Sequence, residues 1–500
     1  MEQNSLLVLG LDVGTSFVKA SVMNEAGAYV GSVSVPEKEM AIEVATAGWA
    51  EQEPEMWWDN VVEAVRKLKS KVSFQSSQIK AIGITYQMHG LVLVDKDQEV
   101  LRPSIIWCDS RAVHIGDQAF RDLGTDKCLN DFLNSPGNFT ASKLKWVFDN
   151  EPEVAEKIHK AMLPGDFIAM KMTGEINTTV SGLSEGILWD FKRNNIATEL
   201  LEYFKIDSNI LPDLVPTFGV QGHLSGLSAD DLGLSKGTPI TYRAGDQPNN
   251  AFSLNVLQPG EIAATAGTSG VIYGVGDQPV TDQHSRVNTF AHVNHGEEEI
   301  RLGTLLCING TGIMNSWLRK TYSSGDILTY EKMNKMAKSV EAGSEGLQIY
   351  PFGNGAERIL KNRAIGAWME GINFNIHSEA HIFRAAQEGI VFALNYGLQI
   401  MRDMQVNAKV VRAGEANMFL SPVFREVFVN TTGCVLELYN TDGSLGAARA
   451  AAVGLGIFNS IEESFRDFHY ESCYEPDPQL MKRYNDLYES WLESLNKKLI

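Results

Sequence analysis

The first apolar block of the chain is followed by a short polar break. Residues 6–11 read LLVLGL, an uninterrupted apolar run that predicts a buried strand. Polar and small residues interrupt the run at Asp12 and at Gly14-Thr15-Ser16, and apolar residues resume at Phe17. Because glycine favours the tight turn between antiparallel strands, the pattern predicts a hairpin.

The polar turn of this hairpin carries groups that suit a phosphate. Gly14 allows close approach of the backbone, and Thr15 and Ser16 add hydroxyls to the N–H groups of the loop. Asp12, at the end of the strand, has a carboxylate that can hold hydrated Mg²⁺. For one such turn taken alone, a hairpin without any ligand is an equally good interpretation.

The same pattern returns in the middle of the chain. Residues 262–275 read IAATAGTSGVIYGV, again an apolar run, a turn and a second apolar run. The turn contains Gly267, Thr268, Ser269 and Gly270. Two such units predict a duplicated α/β fold with one phosphate-facing hairpin in each half. This layout resembles the actin-like ATPases, which have a ribonuclease H-like fold and hold a nucleotide in a cleft between two lobes.

Another predicted strand ends in polar residues. Residues 79–85 are mostly apolar, predict a buried strand and lead through Tyr86 into Gln87-Met88-His89-Gly90. In α/β proteins, ligands bind where strands end, so these side chains are candidates for substrate contact. A purely structural histidine is an equally good interpretation of His89.

Residues 101–108 predict a further strand, which ends at Asp109 and Arg111. The carboxylate and the guanidinium can form a plain ion pair or bind the hydroxyls of a ligand. The sequence leaves both alternatives open.

Two later strand ends also carry candidate chemistry. Residues 239–244 lead into Gly245-Asp246-Gln247, where Asp246 is well placed as a catalytic base or as a helix N-cap, and the two roles are compatible. Residues 409–412 lead into Gly414, which can let a flat base lie against the backbone. A simple tight turn explains Gly414 equally well.

Length and charge limit the classes of function. A chain of 500 residues is too long for one core, which predicts two lobes, residues 1–244 and 245–500. The net charge of −19 argues against non-specific binding to nucleic acid or to anionic membranes. The five cysteines show no CxxC spacing, and the sequence shows no signal peptide and no apolar run of membrane-spanning length. We therefore expect a cytoplasmic protein with reduced thiols.

Nearly the whole chain resembles the FGGY family of carbohydrate kinases. Residues 11–19 resemble the first phosphate motif of that family, and residues 52–58 resemble its EQ-PE-WW block. The QMHG segment at Gln87 is similar to the sugar-contact segment of the xylulose kinases in the family. The pair Gly245-Asp246 matches the catalytic aspartate, residues 267–270 the second phosphate turn, and Gly414 the adenosine loop.

The chain departs from the xylulose kinase pattern at several positions. Gln247 stands where those kinases usually have asparagine, and it is the residue that glycerol kinases carry. Pro248-Asn249-Asn250 replaces a run of small residues, and the adenosine loop has a single glycine. Met88-His89 stands where glycerol kinases have an Arg-Glu pair, which favours a ketopentose over glycerol.

The resemblance implies transfer of the γ-phosphoryl group of ATP to D-xylulose, with Mg²⁺ as cofactor. It makes Asp246 the base and places the metal at Asp12, through water, and at Asp246. The implied sugar-binding residues are Gln87, Met88, His89, Asp109 and Gln247. The implied ATP-binding residues are Asp12, Gly14, Thr15, Ser16, Gly267, Thr268, Ser269, Gly414, Glu415 and Asn417. The resemblance also allows a homodimer.

Two alternatives stay open. A kinase for another ketose or polyol, such as ribulose or glycerol, would keep the same motifs. A non-catalytic sugar-sensing or actin-like assembly protein would keep the fold but would have no need of a base at Asp246.

Overall fold

The computed structural model describes residues 6–323 and 328–500, which form two compact units. The first unit contains the described residues up to Asn255 together with Phe290–Leu302 and Asp442–Phe468. The second contains Val256–Thr289, His469–Ile500 and the described part of Gly303–Thr441. This division differs from the predicted lobes at 1–244 and 245–500, because the chain returns to the first unit after Thr441.

Pairing of strands and packing of helices explain the difference. The strand Ile240–Gly245 pairs with Ile79–Tyr86 in the first sheet, so the helix that follows, Asp246–Ser253, stays in the first unit. The late helix Gly443–Leu455 packs on strands Leu7–Val13 and Ile79–Tyr86. Asp246 therefore belongs to the first unit. A division at one point in the sequence could not anticipate a helix that comes back near the end of the chain.

The first unit is built on a five-stranded sheet. Leu7–Val13 forms an antiparallel hairpin with Val18–Asn24 and runs parallel to Ile79–Tyr86, which in turn runs parallel to Ile240–Gly245. Tyr29–Val35 completes the edge next to Val18–Asn24. The register sets Val13 beside Tyr86 and Tyr86 beside Gly245. The residues after these three leave the sheet at the same edge.

Two glycines allow a helix to lie directly on this sheet. A Cβ at Gly10 would meet the backbone oxygen of Ser444, and a Cβ at Gly83 would meet that of Ala447. Ser21 and Ser444 share a buried hydrogen bond of 2.6 Å at the same contact. The alanine-rich helix Gly443–Leu455 can therefore approach the strands at backbone distance.

The rest of the first unit consists of helices and two-residue or three-residue strand pairs. The predicted strand over residues 101–108 is wrong for most of its length: only Ser104–Ile105 is extended and paired, with Glu51–Gln52. Pro103 has no N–H to donate to a ladder. The other short pairs are Val92–Val94 with Lys160–Met162, Asn177–Thr178 with Asp213–Leu214, and Trp189–Asp190 with Asn195–Ile196. The helices, beyond those named above, are Pro54–Val72, Val113–Leu123, Thr125–Asp131, Thr140–Asn150, Pro152–Ala155, Pro164–Thr173, Val180–Glu185, Thr198–Phe204 and Gly226–Leu232.

The second unit repeats the arrangement of the first sheet. Ile262–Ala266 forms an antiparallel hairpin with Gly270–Gly276 and runs parallel to Val410–Gly414. Val435–Tyr439 continues the parallel series, and Ser472–Tyr474 forms the edge beyond it. On the other side, Leu302–Ile308 follows Gly270–Gly276, and Asn288–Ala291 is the edge strand. In both units a hairpin strand therefore also pairs in parallel with a later strand. This confirms the duplicated α/β fold that the two Gly-Thr-Ser turns predict.

A long central helix organises the core of the second unit. Glu379–Asp403 buries most of its length against the other helices and the sheet. The helices around it are Gly312–Tyr322, Tyr330–Lys338, Pro422–Thr432 and Pro478–Leu499, and a short strand pair joins Gln348–Tyr350 to Trp368–Glu370. Across residues 6–323 and 328–500, no helix combines the length and the apolar character needed to cross a membrane.

Candidate active site

The first phosphate-type turn is tied to the predicted sugar segment. The Gly14 N–H donates to the Phe17 carbonyl at 3.0 Å and closes the turn. The Thr15 hydroxyl donates to Oε1 of Gln87 at 3.0 Å and accepts from the indole of Trp107 at 3.0 Å. These bonds keep the turn and the segment after Tyr86 in a fixed relation within the first unit.

Three carboxylates interact at the edge of the first sheet. Burial, together with the charges of Asp246 and Asp442, raises the pKa of Asp12 to about 7, against the opposing charge of Lys19. A Cβ at Gly443 would meet the Asp12 carboxylate, so only glycine leaves room for it. The site concentrates negative charge that Lys19 alone does not balance.

Asp442 differs from Asp12 because it has direct partners. Burial alone would raise its pKa, but Lys19, at 2.5 Å, and the hydrogen bonds from Ser444 and the Leu445 N–H lower it. Asp442 is the N-cap of Gly443–Leu455. Lys19 and Asp442 therefore form a structural pair, and among the described residues Asp12 has no ion pair of its own.

Asp246 lies in the first turn of its helix, with Gly245 as the N-cap. The prediction that Asp246 is the N-cap is therefore wrong by one residue. Burial raises its pKa to about 6, and hydrogen bonds from Gln247 partly oppose the rise. A helix N-terminus favours a carboxylate. Near neutral pH this group is ionised and has a pKa suited to accepting a proton.

The predicted sugar segment begins directly beside Gly245. Met88 is buried, and its Cγ lies 2.6 Å from the position that a Cβ on Gly245 would take. His89 adopts a left-handed backbone conformation, with φ of 61°. Its Nδ1 donates to the Glu185 carbonyl at 2.9 Å, and its ring packs edge-on against Phe139 with the centroids 4.8 Å apart. The backbone and imidazole of His89 are therefore held from two directions.

The amide of Gln87 serves the scaffold. It accepts from Thr15, and its Nε2 donates to Gln52 at 3.2 Å. Gln52 in turn accepts from the indole of Trp57 at 3.1 Å. Sugar contact by Gln87 stays a prediction, but its hydrogen bonds to Thr15 and Gln52 favour a role in holding the turn.

The environment of Asp109 favours the ion-pair alternative. Its carboxylate is fully buried and accepts from the Ala50 N–H and from the backbone and guanidinium of Arg111. The Arg111 guanidinium lies over Trp49, 3.8 Å from the ring centroid, and also over Trp146. The pair belongs to a packed aromatic and ionic cluster, and a sugar-binding role for Asp109 stays a prediction.

The structure also brings residues to this site that the sequence analysis missed. Glu185 is buried beside Met88 and Gly245, and its Oε1 has no hydrogen-bond partner, although the Tyr86 hydroxyl interacts with the carboxyl group. Burial and the charge of Asp246 hold its pKa well above the usual range. The sequence feature that could have indicated Glu185 is its position as a lone carboxylate in a run of small and apolar residues. Trp107, half exposed beside Thr15, is a second such residue.

A separate cavity in the second unit contains the second Gly-Thr-Ser turn. It has a volume of about 460 Å³ and is lined by Gly267, Thr268 and Asn417, with Gly312, Ser316, Tyr330, Asn334 and Ser421 among the other lining residues. Ser269, Gly414 and Glu415 are not among the lining residues. The Gly312 N–H donates to the Gly267 carbonyl at 2.9 Å and the Ile313 N–H to that of Thr268 at 3.1 Å. The sequence feature that could have indicated this cavity is Gly312, which opens the amphipathic helix Gly312–Tyr322.

Comparisons with known proteins identify the family. Residues 7–253 match the N-terminal domain and residues 262–455 the C-terminal domain of the FGGY family of carbohydrate kinases. The chain belongs to this family. FGGY membership makes the protein a carbohydrate kinase with ATP as a substrate, and two-domain FGGY kinases share its α/β fold.

Individual FGGY relatives cover almost the whole chain. Xylulose kinase from Bacillus subtilis is 29% identical over 96% of this chain and 95% of its own length. Two solved structures from Lactobacillus acidophilus share the fold. Gluconate kinase has a TM-score of 0.89 at 24% identity and 99% coverage of both chains, and a ligand-bound xylulose kinase has 0.88 at 24% identity and 98% coverage of both.

Proposed function

We propose that this FGGY kinase phosphorylates D-xylulose to D-xylulose 5-phosphate. The observation that carries the proposal is that Val13, Tyr86 and Gly245 lie side by side in register at one edge of the first sheet. Because the three strands end side by side, the phosphate turn, the QMHG segment and Asp246 start from neighbouring positions. A phosphate, a sugar and a base are the three components that the reaction needs.

The reaction requires positioning and charge neutralisation more than covalent chemistry. The terminal hydroxyl oxygen of the sugar attacks the γ-phosphorus, the bond from that phosphorus to the bridging β–γ oxygen breaks, and ADP leaves. Asp246 accepts the hydroxyl proton. Its pKa of about 6, raised by burial, keeps it ionised at neutral pH yet basic enough to take the proton.

The residues of this chain fit a divalent cation near Asp12. The carboxylates of Asp12 and Asp246 are hard oxygen ligands of the type that Mg²⁺ prefers, and they repel each other. Within the described ranges, no group of three or more His, Cys, Asp or Glu side chains is arranged to hold a metal. We therefore expect Asp12 to hold Mg²⁺ through water, with nucleotide phosphates as further ligands. The bound ion would neutralise the charge that develops on the phosphates.

The nucleotide contacts are divided between two sets of residues. Gly14, Thr15 and Ser16 in the first unit and Gly267, Thr268 and Ser269 in the second are expected to hold phosphates. Asn417, which lines the cavity of the second unit, is expected to contact the adenosine, with Gly414 and Glu415 nearby in sequence. The nucleotide cleft between lobes, a homodimer and a cytoplasmic location stay predictions.

The choice of D-xylulose rests on Met88 and His89. Met88 is buried beside Gly245, and the part-buried His89 is oriented by its hydrogen bond to the Glu185 carbonyl. The curated relatives at 26–29% identity that are named xylulose kinase support the same choice. Gln247, adjacent to the base, is the feature in favour of glycerol.

A coupled assay of ADP release tests the proposal. The panel is D-xylulose, D-ribulose, glycerol and gluconate, each with saturating ATP and Mg²⁺. We expect kcat/KM for D-xylulose to exceed that for each of the others by about 10-fold or more, the discrimination that one lost hydroxyl contact gives. Preference for glycerol would assign specificity to Gln247. No sugar-dependent ADP release with any compound would favour the non-catalytic alternative.

A further inference from the structure

One buried lysine contacts the sugar segment without a role assigned so far. Lys143, on the helix Thr140–Asn150, has no solvent exposure. Its Nζ donates to the His89 carbonyl at 2.7 Å and to the Ile106 carbonyl at 3.0 Å. Among the described residues, no carboxylate lies within ion-pair distance of this ammonium group. Burial lowers the pKa of Lys143 to about 7, and the charges of Asp109 and Glu185 partly oppose the fall. An amino group buried at this depth is costly, so it needs an explanation.

The two carbonyls belong to two segments that approach the candidate site. His89 is in the QMHG segment, and Ile106 precedes Trp107, whose indole donates to Thr15. The Lys143 amino group links the two segments through its hydrogen bonds to these two carbonyls. The same helix contributes further contacts: the Thr140 hydroxyl donates to the Gly90 carbonyl at 3.4 Å, and the Ala141 N–H donates to the Gly186 carbonyl at 3.0 Å.

The backbone of His89 requires such support. With φ of 61°, it occupies the left-handed region, which a side chain with a Cβ disfavours. Residues in this region persist when the surroundings fix them, and they cluster at ligand sites. The Lys143 ammonium binds the His89 carbonyl itself, and the Phe139 ring, one residue before the helix, packs against the imidazole.

We propose that Lys143 is a positioning residue that fixes the His89 turn for sugar binding. This inference rests on the proposed function, because it takes the QMHG segment as the sugar contact. Lys143 acts through His89 and does not touch the sugar. Removal of its ammonium group should release the left-handed turn and weaken sugar binding, and it should leave the nucleotide side unchanged.

The test is a double-mutant cycle between Lys143→Met and His89→Ala. We expect Lys143→Met to raise KM for D-xylulose by about 5- to 100-fold, as expected when a buried polar group loses its partner, with KM for ATP within about twofold. In the His89→Ala background the same change should raise the sugar KM by less than about twofold, because the positioned group is already absent. Lys145→Met, on the same helix but paired with Asp149 at the surface, is the matched control and should leave both KM values unchanged.

Equal effects of Lys143→Met in both backgrounds, or a parallel rise in both KM values, would overturn the proposal in favour of a general structural role. If the Met variant does not fold, Lys143→Gln, which keeps an N–H donor, takes its place and should give a smaller rise that is again lost in the His89→Ala background. If the wild type prefers another sugar, the proposed function fails, and the cycle is run with that sugar. Loss of coupling there would overturn the role of Lys143 separately.

Discussion

Asp246 combines a buried position with a helix N-terminus. Burial raises its pKa, whereas the helix end and Gln247 favour the ionised form. Replacement by asparagine keeps the volume and removes the base. We expect Asp246→Asn to lower kcat by about 10³-fold or more, the scale of a lost general base, with nucleotide affinity within a few-fold. The measurement is steady-state kinetics together with nucleotide titration, and retention of more than about a tenth of kcat would assign the base elsewhere.

The pH profile should report the same carboxylate. Because burial raises the pKa of Asp246 to about 6, the fraction of enzyme with an ionised base falls as the pH drops below that value. We expect log(kcat/KM) for D-xylulose to fall with unit slope below about pH 6 and to level off above it. Initial rates in buffers of constant ionic strength measure this. A flat profile down to pH 4.5 would contradict the assignment.

In the absence of ligands, we expect the ionised Asp12 carboxylate to lower the free energy of unfolding. Its pKa is raised from 3.8 to about 7 by burial and by two neighbouring carboxylates, so the folded state holds a proton that the unfolded state has released. The contribution of Asp12 to the free energy of unfolding must then fall as the pH rises from about 4 to about 7. Asp12→Asn carries no such cost. Its melting temperature should exceed that of the wild type by a margin that grows over this interval and stays constant above pH 7.

The control for this measurement is Asp59→Asn, an exposed position on the helix Pro54–Val72, which should show no such margin. Thermal melts without nucleotide and Mg²⁺ at several pH values decide the question. Equal melting temperatures of the Asp12→Asn variant and the wild type at pH 8 would refute the electrostatic account. The same variant should lose Mg²⁺-dependent activity, an exchange of stability for function.

At the scale of elements, the sequence predicted the site residues that follow strand ends, but it did not predict the site residues that come from helices. The strands before Gly14, Gln87 and Asp246 are recognisable in the sequence as segments rich in apolar residues that end at polar ones, and all three are present. Glu185 and Lys143 reach the site from helices, where one residue in a helix turn points inward with no local marker. Their roles depend on tertiary contacts at large sequence separation, which periodicity does not encode.

The first turn of the helix Gly312–Tyr322 should be decisive for nucleotide binding. A Cβ at Gly312 would meet the Gly267 carbonyl, so alanine must push apart two walls of the cavity in the second unit. Such overpacking costs about 1–3 kcal/mol, which corresponds to a rise of about 5- to 100-fold in KM for ATP. The KM for D-xylulose should stay within about twofold.

The matched control for this substitution is Gly276→Ala at the end of the strand Gly270–Gly276. A Cβ there makes only an ordinary contact with Val406, 4.0 Å away, so both KM values should stay unchanged. Nucleotide titration by calorimetry gives an independent measure of affinity. Unchanged ATP affinity in the Gly312→Ala variant would remove this cavity from the candidate nucleotide site.

At the scale of the whole molecule, the first unit depends on a distant part of the chain. Residues 442–468 belong to it, and the helix Gly443–Leu455 covers the sheet at Gly10 and Gly83. We expect a fragment of residues 1–255 to remain without cooperative unfolding in urea. A fusion of residues 1–255 to residues 442–468 through a flexible linker should gain a cooperative transition. Equal behaviour of the two fragments by circular dichroism would contradict this view of the unit.

The late position of that helix has a consequence for synthesis on the ribosome. The five-stranded sheet is translated by Gly245, yet its covering helix begins at Gly443. At about 5–20 residues per second, translation of the roughly 190 residues between Asn255 and Gly443 takes about 10–40 s. During this interval the glycine-lined face of Leu7–Val13 and Ile79–Tyr86 lacks its own partner in the nascent chain. Until Gly443–Leu455 has been made, this uncovered face is therefore open to association with other chains.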